Sequence, residues 1–331
     1  MKTKNVHYVY VSGENLRLLE EEFSRGISSK LDEWSHTSAP LKISHGSVNV
    51  TFFIYRRAHI MMSHGVADKN YLLRKDAAGG LEINKYRTIC VPGEWLKRRI
   101  LQAEGVELDE NQIKVVGWPR IDSLLAAQRE QSKDFKRMLR KANPFRKIKV
   151  LWAPTHGQAS KEPLSSYPEF LPYEDRLKEI FDYESSLHPN VRESKIPTFQ
   201  KLLDADVVIA DRGTLVYEAW ALGKPVIFPS WIIKQANLRT GIGSAEHHIF
   251  SENLGLHAES FDELVDMIKK ARAPDHRVNQ FMEEYIPSST HGKSYELIAD
   301  AVKEIWDSGD LHIKRKAIPP ESNVEPQPQA L

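Results

Sequence analysis

The chain has 331 residues, with 46 Lys plus Arg against 45 Asp plus Glu, a single Cys and 41% hydrophobic residues. That length exceeds what one hydrophobic core usually organises, so two domains of roughly 120–180 residues are expected, and a net charge of +1 supplies no global field for DNA or RNA, so no nucleic-acid partner is expected. The lone Cys90 builds neither an internal disulfide nor a zinc cluster, and no stretch approaches the roughly 20 apolar residues that span a bilayer; the expectation is a soluble, cytoplasmic protein, with peripheral attachment to the inner face of the plasma membrane left open.

Val6 to Val11 alternates and is β-branched and aromatic, and it runs through Ser12-Gly13 into ENLRLLEEEF, which predicts a strand, turn and helix. Short strands are predicted at Val48–Tyr55, His59–Ser63, Thr88–Val91 and Ile113–Val116, separated by helical stretches such as EWLKRRILQAEG, an alternation that argues for a parallel sheet. Leu124 to Lys147 is charged and ends near Asn-Pro, the pattern of a helix leading into a linker. The design then restarts: KIKVLWAPTHG, ADVVIAD and KPVIFPS read as buried strands, with YEAWALG as a short helix between the last two. Phe261–Ala271 and Ser294–Trp306 have helical spacing, whereas Lys314–Leu331 is polar, proline-rich and reads as a disordered tail. The expected layout is a Rossmann-like domain over 1–125, a basic helix and linker over 126–147, a second Rossmann-like domain over 148–312 and a tail over 313–331, with a ligand cleft at the carboxyl ends of the strands.

The most informative segment is DADVVIADRGTLVYEAWALGKPVIFPS, residues 204–230. A buried strand delivers Asp211, Arg212, Gly213 and Thr214 to its carboxyl end and a helix follows at once, so amide N–H groups and the helix dipole face whatever lies above. Gly213 admits a phosphate to the backbone, Thr214 offers a hydroxyl, Arg212 a cation, and Glu218 one turn on can accept from ribose hydroxyls. The competing explanation is an ordinary helix start with Thr214 as N-cap and Glu218 solvated. Ser63 to Lys69 (SHGVADK) follows a strand and places His64 beside a glycine, suiting a general base with a pKa near 6.5, with Lys69 available to an acceptor phosphate; on the dipeptide alone a loop histidine bonding only backbone is the favoured explanation, and His45-Gly46 shows how easily it arises. Thr155 at the end of VLWAPTH could line the cleft floor or mark a plain turn, and His188-Pro189 offers a further imidazole. Asp204 and Asp206 read as a helix boundary, and no metal is assigned. Lys133, Lys136, Arg137, Arg140, Lys141, Arg146, Lys147 and Lys149 form a local basic excess, worth roughly 1 kcal/mol per well-placed cation at an anionic membrane surface, although a solvated helix face is the more common outcome of such a run.

In order, SHGVADK (63–69), GWPRID (117–122), VLWAPTH (150–156), His188-Pro189, residues 204–228 and STHGKSYELIADAV (289–302) resemble the CDP-glycerol glycerophosphotransferase family. The resemblance implies a GT-B architecture, two Rossmann-like domains facing across a cleft, and transfer of glycerol phosphate or a related polyol phosphate from a CDP-linked donor to an acceptor hydroxyl with release of CMP, in teichoic-acid or capsule polymer synthesis. It implies a nucleotide-activated donor as substrate with no permanently bound cofactor, and a polyol-phosphate or glycan acceptor. By position it makes His64 the base, His188 a stabiliser of the donor phosphates, and Asp211, Gly213 and Thr214 part of a phosphate-contacting turn. The family's Tyr-Ser-Ser after the aspartate is Arg-Gly-Thr here, and its His-Gly-Thr-Pro-Leu-Lys is His-Gly-Val-Ala-Asp-Lys. The alternative is a GT-B glycosyltransferase using a nucleotide sugar, which attacks carbon and releases a nucleoside diphosphate; a third reading is a nonenzymatic nucleotide-binding scaffold.

Overall fold

The computed structural model describes residues 3–11, 14–68, 70–135, 139, 142–155, 165–187, 198–233 and 241–313. The expectations for Lys69, His188 and the tail 314–331 lie outside the described residues, as do 136–138, 140 and 141 of the basic segment.

The first half contains β1 (Asn5–Tyr10), α1 (Glu14–Ser28), β2 (Ser35–Pro40), β3 (Val48–Thr51), β4 (Ile60–Met62), β5 (Thr88–Val91), α2 (Glu94–Leu101), β6 (Ile113–Val115) and α3 (Pro119–Ser132). Its strands form a six-stranded sheet in the order β2-β1-β3-β4-β5-β6, with every pairing parallel. β3 and β5 are buried at every position, as a parallel sheet covered on both faces demands. β2 (SHTSAP) is polar, largely exposed and ends in proline, which suits an edge strand and gives no apolar signal in the sequence.

The second half contains β7 (Lys149–Ala153), α4 (Glu174–Ile180), β8 (Asp182–Ser185), α5 (Thr198–Asp204), β9 (Val207–Ala210), α6 (Thr214–Ala221), β10 (Val226–Pro229), α7 (Ala245–Ser251), β11 (Leu256–Ala258), α8 (Phe261–Lys270), α9 (His276–Tyr285) and α10 (Ser294–Asp307). The sheet is five-stranded, β11-β10-β9-β7-β8, again wholly parallel. Its strand order reverses between β7 and β9, where Ala153 pairs with Ala210; ligands of open α/β sheets bind at such a reversal, outside the carboxyl ends of the strands.

One apolar core runs through both halves. Phe23 and Phe52 of the first half share a cluster with Val208, Tyr217 and Phe228 of the second, and with Tyr285 and Ile298. A second cluster, including Trp152, Ile209 and Leu264, fills the other face of the second sheet under α8. The closing helices cross back: Tyr285 stacks on Tyr217 at 4.7 Å and meets Trp95 of α2 at 5.7 Å, and Trp306 of α10 meets Trp34 at 5.5 Å. Gly93 permits this approach, because a Cβ there would overlap the Tyr285 carbonyl. Among the described residues no helix is long and apolar enough to cross a membrane.

Candidate functional site

At the β7/β9 reversal the two strand ends are locked by Asp211. Its carboxylate is fully buried, and Oδ2 accepts from the Thr155 amide at 3.0 Å, the Ser166 amide at 2.9 Å and Ser165 Oγ at 3.0 Å, while Oδ1 accepts from Ser166 Oγ. Burial pushes its pKa up to about 6 against the pull of these donors. This corrects the expectation of a phosphate-contacting Asp211: its oxygens are turned into the protein, where they tie the loops after β7 to the loop after β9. Thr155 is corrected in part, since its amide is committed to Asp211; its side chain is half-buried.

The chain then turns through Gly213, whose φ of 104° and ψ of −177° suit glycine almost alone. Gly213, not Thr214, is the N-cap of α6, and it supplies no side-chain cap. Its amide donates to Glu246 Oε2 at 3.0 Å. Arg212 beside it is partly buried, which pushes its guanidinium down, while the charges of Glu246 and Asp211 push it back up; its Nε has no hydrogen-bond partner among the described residues.

The first half brings the His64 loop onto this turn. A Cβ placed on Gly65 would lie 3.2 Å from Thr214 Oγ1, so the His-Gly backbone rests directly against the start of α6. The His64 ring stacks on Phe53 at 4.2 Å with 9° between planes and meets Tyr71 edge-on at 5.6 Å; Tyr71 is held by accepting from the Ile54 amide at 2.8 Å. The structure therefore brings His64, Gly65, Arg212, Gly213 and Thr214 together from segments about 150 residues apart in sequence.

Three anchors fix the loop. Tyr285 Oη donates to the Val66 carbonyl at 2.7 Å. Asp68, 4% exposed, accepts from Arg99 Nη1 at 2.9 Å, from the Asn70 amide at 2.9 Å and from the Ala245 amide at the start of α7 at 3.2 Å. Arg99 also donates to the Gly243 carbonyl and Asn70 Oδ1. Sequence reasoning gave Asp68, Arg99 and Glu246 no role; the one signal available was that SHGVADK carries an acid where the family has Leu.

Glu218 is a correction. Rather than facing ribose, it is 4% exposed and accepts from Arg120 Nε of α3 at 2.8 Å, joining the two halves. Arg120 lies in GWPRID, so two of the motifs meet in this ion pair. A groove of about 570 Å³ lined by Arg146, Lys149, Lys178 and Asp206 lies at the amino ends of the second sheet's strands, opposite the switch point. Arg146 there donates to Asp206 at 2.9 Å, and Lys149 pairs with Glu184 at 3.6 Å.

No family model matches the chain. The teichoic acid poly(ribitol-phosphate) polymerase of Bacillus spizizenii (strain ATCC 23059 / NRRL B-14472 / W23) is 27% identical over 243 residues, which are 66% of this chain and 37% of that protein. The chain thus spans little more than a third of that relative's length. Among solved structures, a histidine-to-alanine form of the wall teichoic acid polymerase TagF matches with a TM-score of 0.60 and 14% identity, covering 93% of this chain and 90% of that one. A histidine-to-asparagine form of TagF soaked with CDPG matches at 0.55 and 13%, over 94% and 91% of the two chains. The chain has the GT-B α/β fold that TagF has, and its resemblance to the CDP-glycerol glycerophosphotransferase family holds in sequence and in fold.

Proposed function

We propose that this chain transfers a polyol phosphate, with glycerol phosphate as the first candidate, from a CDP-linked donor to an acceptor hydroxyl. The observation that carries this reading is the seating of the His64-Gly65 loop on the Arg212-Gly213-Thr214 turn at the switch point of the second sheet. The first half is the acceptor side and the second the donor side. The acceptor oxygen bonds to the phosphorus that bears the polyol, the bridging P–O bond breaks, CMP leaves, and the acceptor proton passes to His64. Arg212, the Thr214 hydroxyl and the positive end of α6 offset the charge on the phosphates. The curated relative is a ribitol-phosphate polymerase and TagF a wall teichoic acid polymerase, and both support a polyol-phosphate polymer as the acceptor.

The place of work is the inner face of the plasma membrane, reached through the basic segment 133–147. Phe135, Leu139 and Phe145 are 64%, 56% and 94% exposed there among lysines and arginines, a pairing of apolar and cationic side chains that suits an anionic lipid surface.

The test is a product assay with CDP-glycerol, CDP-ribitol and a panel of UDP-, GDP- and dTDP-sugars, run on the chain and on His64→Ala. The expected result is CMP release from a CDP-alcohol that falls at least 100-fold in His64→Ala, with donor Kd within a few-fold, because the base acts on the acceptor. Release of a nucleoside diphosphate from a nucleotide sugar alone would make this a glycosyltransferase and overturn the proposal.

A further inference from the structure

We propose that Glu246 is a built-in occupant of the donor-phosphate seat, and that a donor diphosphate binds by displacing its carboxylate from the Gly213 amide. The inference deepens the proposed function and rests on its placing of the donor at α6. Glu246 belongs not to the phosphate turn itself but to α7, from which its side chain reaches over so that Oε2 accepts the Gly213 N–H at 3.0 Å. Gly213 caps an eight-residue helix without a side chain of its own. Its amide is thus an orphan donor at the positive end of the helix dipole, where an anion is stabilised. The chain fills that place with a carboxylate that is almost wholly buried, 2% exposed as a residue.

The charge balance argues that this carboxylate leaves when donor arrives. With Glu246 in place, the charges of Glu246 and Asp211 both act on the Arg212 guanidinium, whose buried Nε has no hydrogen-bond partner among the described residues. A diphosphate entering beside a retained Glu246 would meet a carboxylate on the Gly213 amide that it needs. With the carboxylate swung aside, the same phosphate meets Arg212, the Gly213 amide and the Thr214 hydroxyl. The backbone of Glu246 is pinned, because the Ala245 amide donates to Asp68 Oδ2 at 3.2 Å and the Glu246 amide points at the Asp68 carbonyl at 3.4 Å. Displacement is therefore a rotation of the side chain, with α7 staying where Arg99 and Asp68 hold it. Since Asp68 belongs to the His64 loop, the donor seat and the acceptor side keep their register while the carboxylate moves. Glu246 acts as a specificity determinant: an anion that cannot offer more than a carboxylate does at this seat will not enter it.

Inorganic pyrophosphate is the probe, titrated into the full chain, Glu246→Gln and Glu246→Asp by calorimetry at low salt and at about 0.5 M salt. Glu246→Gln keeps the shape and the acceptor for the Gly213 amide but loses the charge, and it should bind pyrophosphate about tenfold more tightly than the parent, with the gap narrowing at high salt; the KM for CDP-glycerol should fall in step. Glu246→Asp withdraws the carboxylate by one methylene and should also bind more tightly, which keeps the test open if the Gln variant folds poorly. Equal or weaker pyrophosphate binding in both variants would overturn the inference, as would no pyrophosphate binding in any of the three proteins. Tighter pyrophosphate binding without any turnover of a CDP-alcohol would uphold the seat and refute the donor assignment instead.

Discussion

Asp211 is a fully buried carboxylate at the end of β9 that holds together the loops around it. Any sequence pattern that ends a buried strand in an acid and a glycine points to a strand-to-helix turn; whether the acid faces ligand or protein depends on which donors the neighbouring loops bring. Here Thr155, Ser165 and Ser166 surround it. Replacing it by Ala strands the Thr155 and Ser166 amides in the interior, and Asp211→Ala should cost about 3 kcal/mol, read as a lowered denaturation midpoint. The pH dependence has a definite sign. The folded pKa of about 6 lies above the ordinary 3.8, so between those values the folded chain holds a proton that the unfolded chain releases. This group's contribution to stability is present in full below about pH 4 and is lost as pH rises through about 6. Asp211→Asn should flatten the Tm profile across that window, and a steeper profile would show that the carboxylate is not the source. Arg212, Gly213 and Thr214 can be singled out one by one as candidates because each carries its chemistry locally. Glu246 cannot, since nothing in SAEHHIF says which turn its side chain will meet.

At the scale of elements, the strands that could be read were those buried on both faces, such as β5, β7, β9 and β10, where apolar runs must sit in a covered parallel sheet. The edge strands β2 and β8 give no apolar signal because SHTSAP and DYES carry polar side chains, and their place is set by backbone pairing to β1 and β7. α9 is capped by Asp275, which accepts the Val278 amide at 2.9 Å; its role as a brace on α2 is a tertiary matter. The basic segment belongs to this scale too. If it meets lipid, the full chain should sediment with vesicles containing about 30% anionic lipid and be released as salt rises. The double variant Leu139→Ser, Phe145→Ser should bind several-fold more weakly with unchanged CMP release in solution. Binding that is indifferent to both salt and these side chains would assign the exposed residues no lipid role.

For the whole molecule, the decisive feature is that the two halves are welded by a shared core and by buried polar pairs, among them Asp68 with Arg99 and Ala245, and Glu218 with Arg120. A buried pair that loses one member leaves the other uncompensated, and Glu218→Ala should cost about 3 kcal/mol. Donor KM should change less than threefold once the loss of folded protein is accounted for; a large rise in KM at unaltered Tm would return Glu218 to the ribose.

The sequence by itself determined the alternation of strand and helix, the two parallel sheets and the turn after β9, because buried apolar runs, glycine positions and helix starts are written in contiguous residues. Motif order along the chain was enough to point to the family. Only the tertiary structure decided that His64 lies between Phe53 and Tyr71, that Asp211 faces inward, that Glu218 joins the halves and that Glu246 sits on the Gly213 amide. Each of these is a contact between segments far apart in sequence, and its partner is chosen by packing and charge balance in three dimensions, which no local pattern encodes.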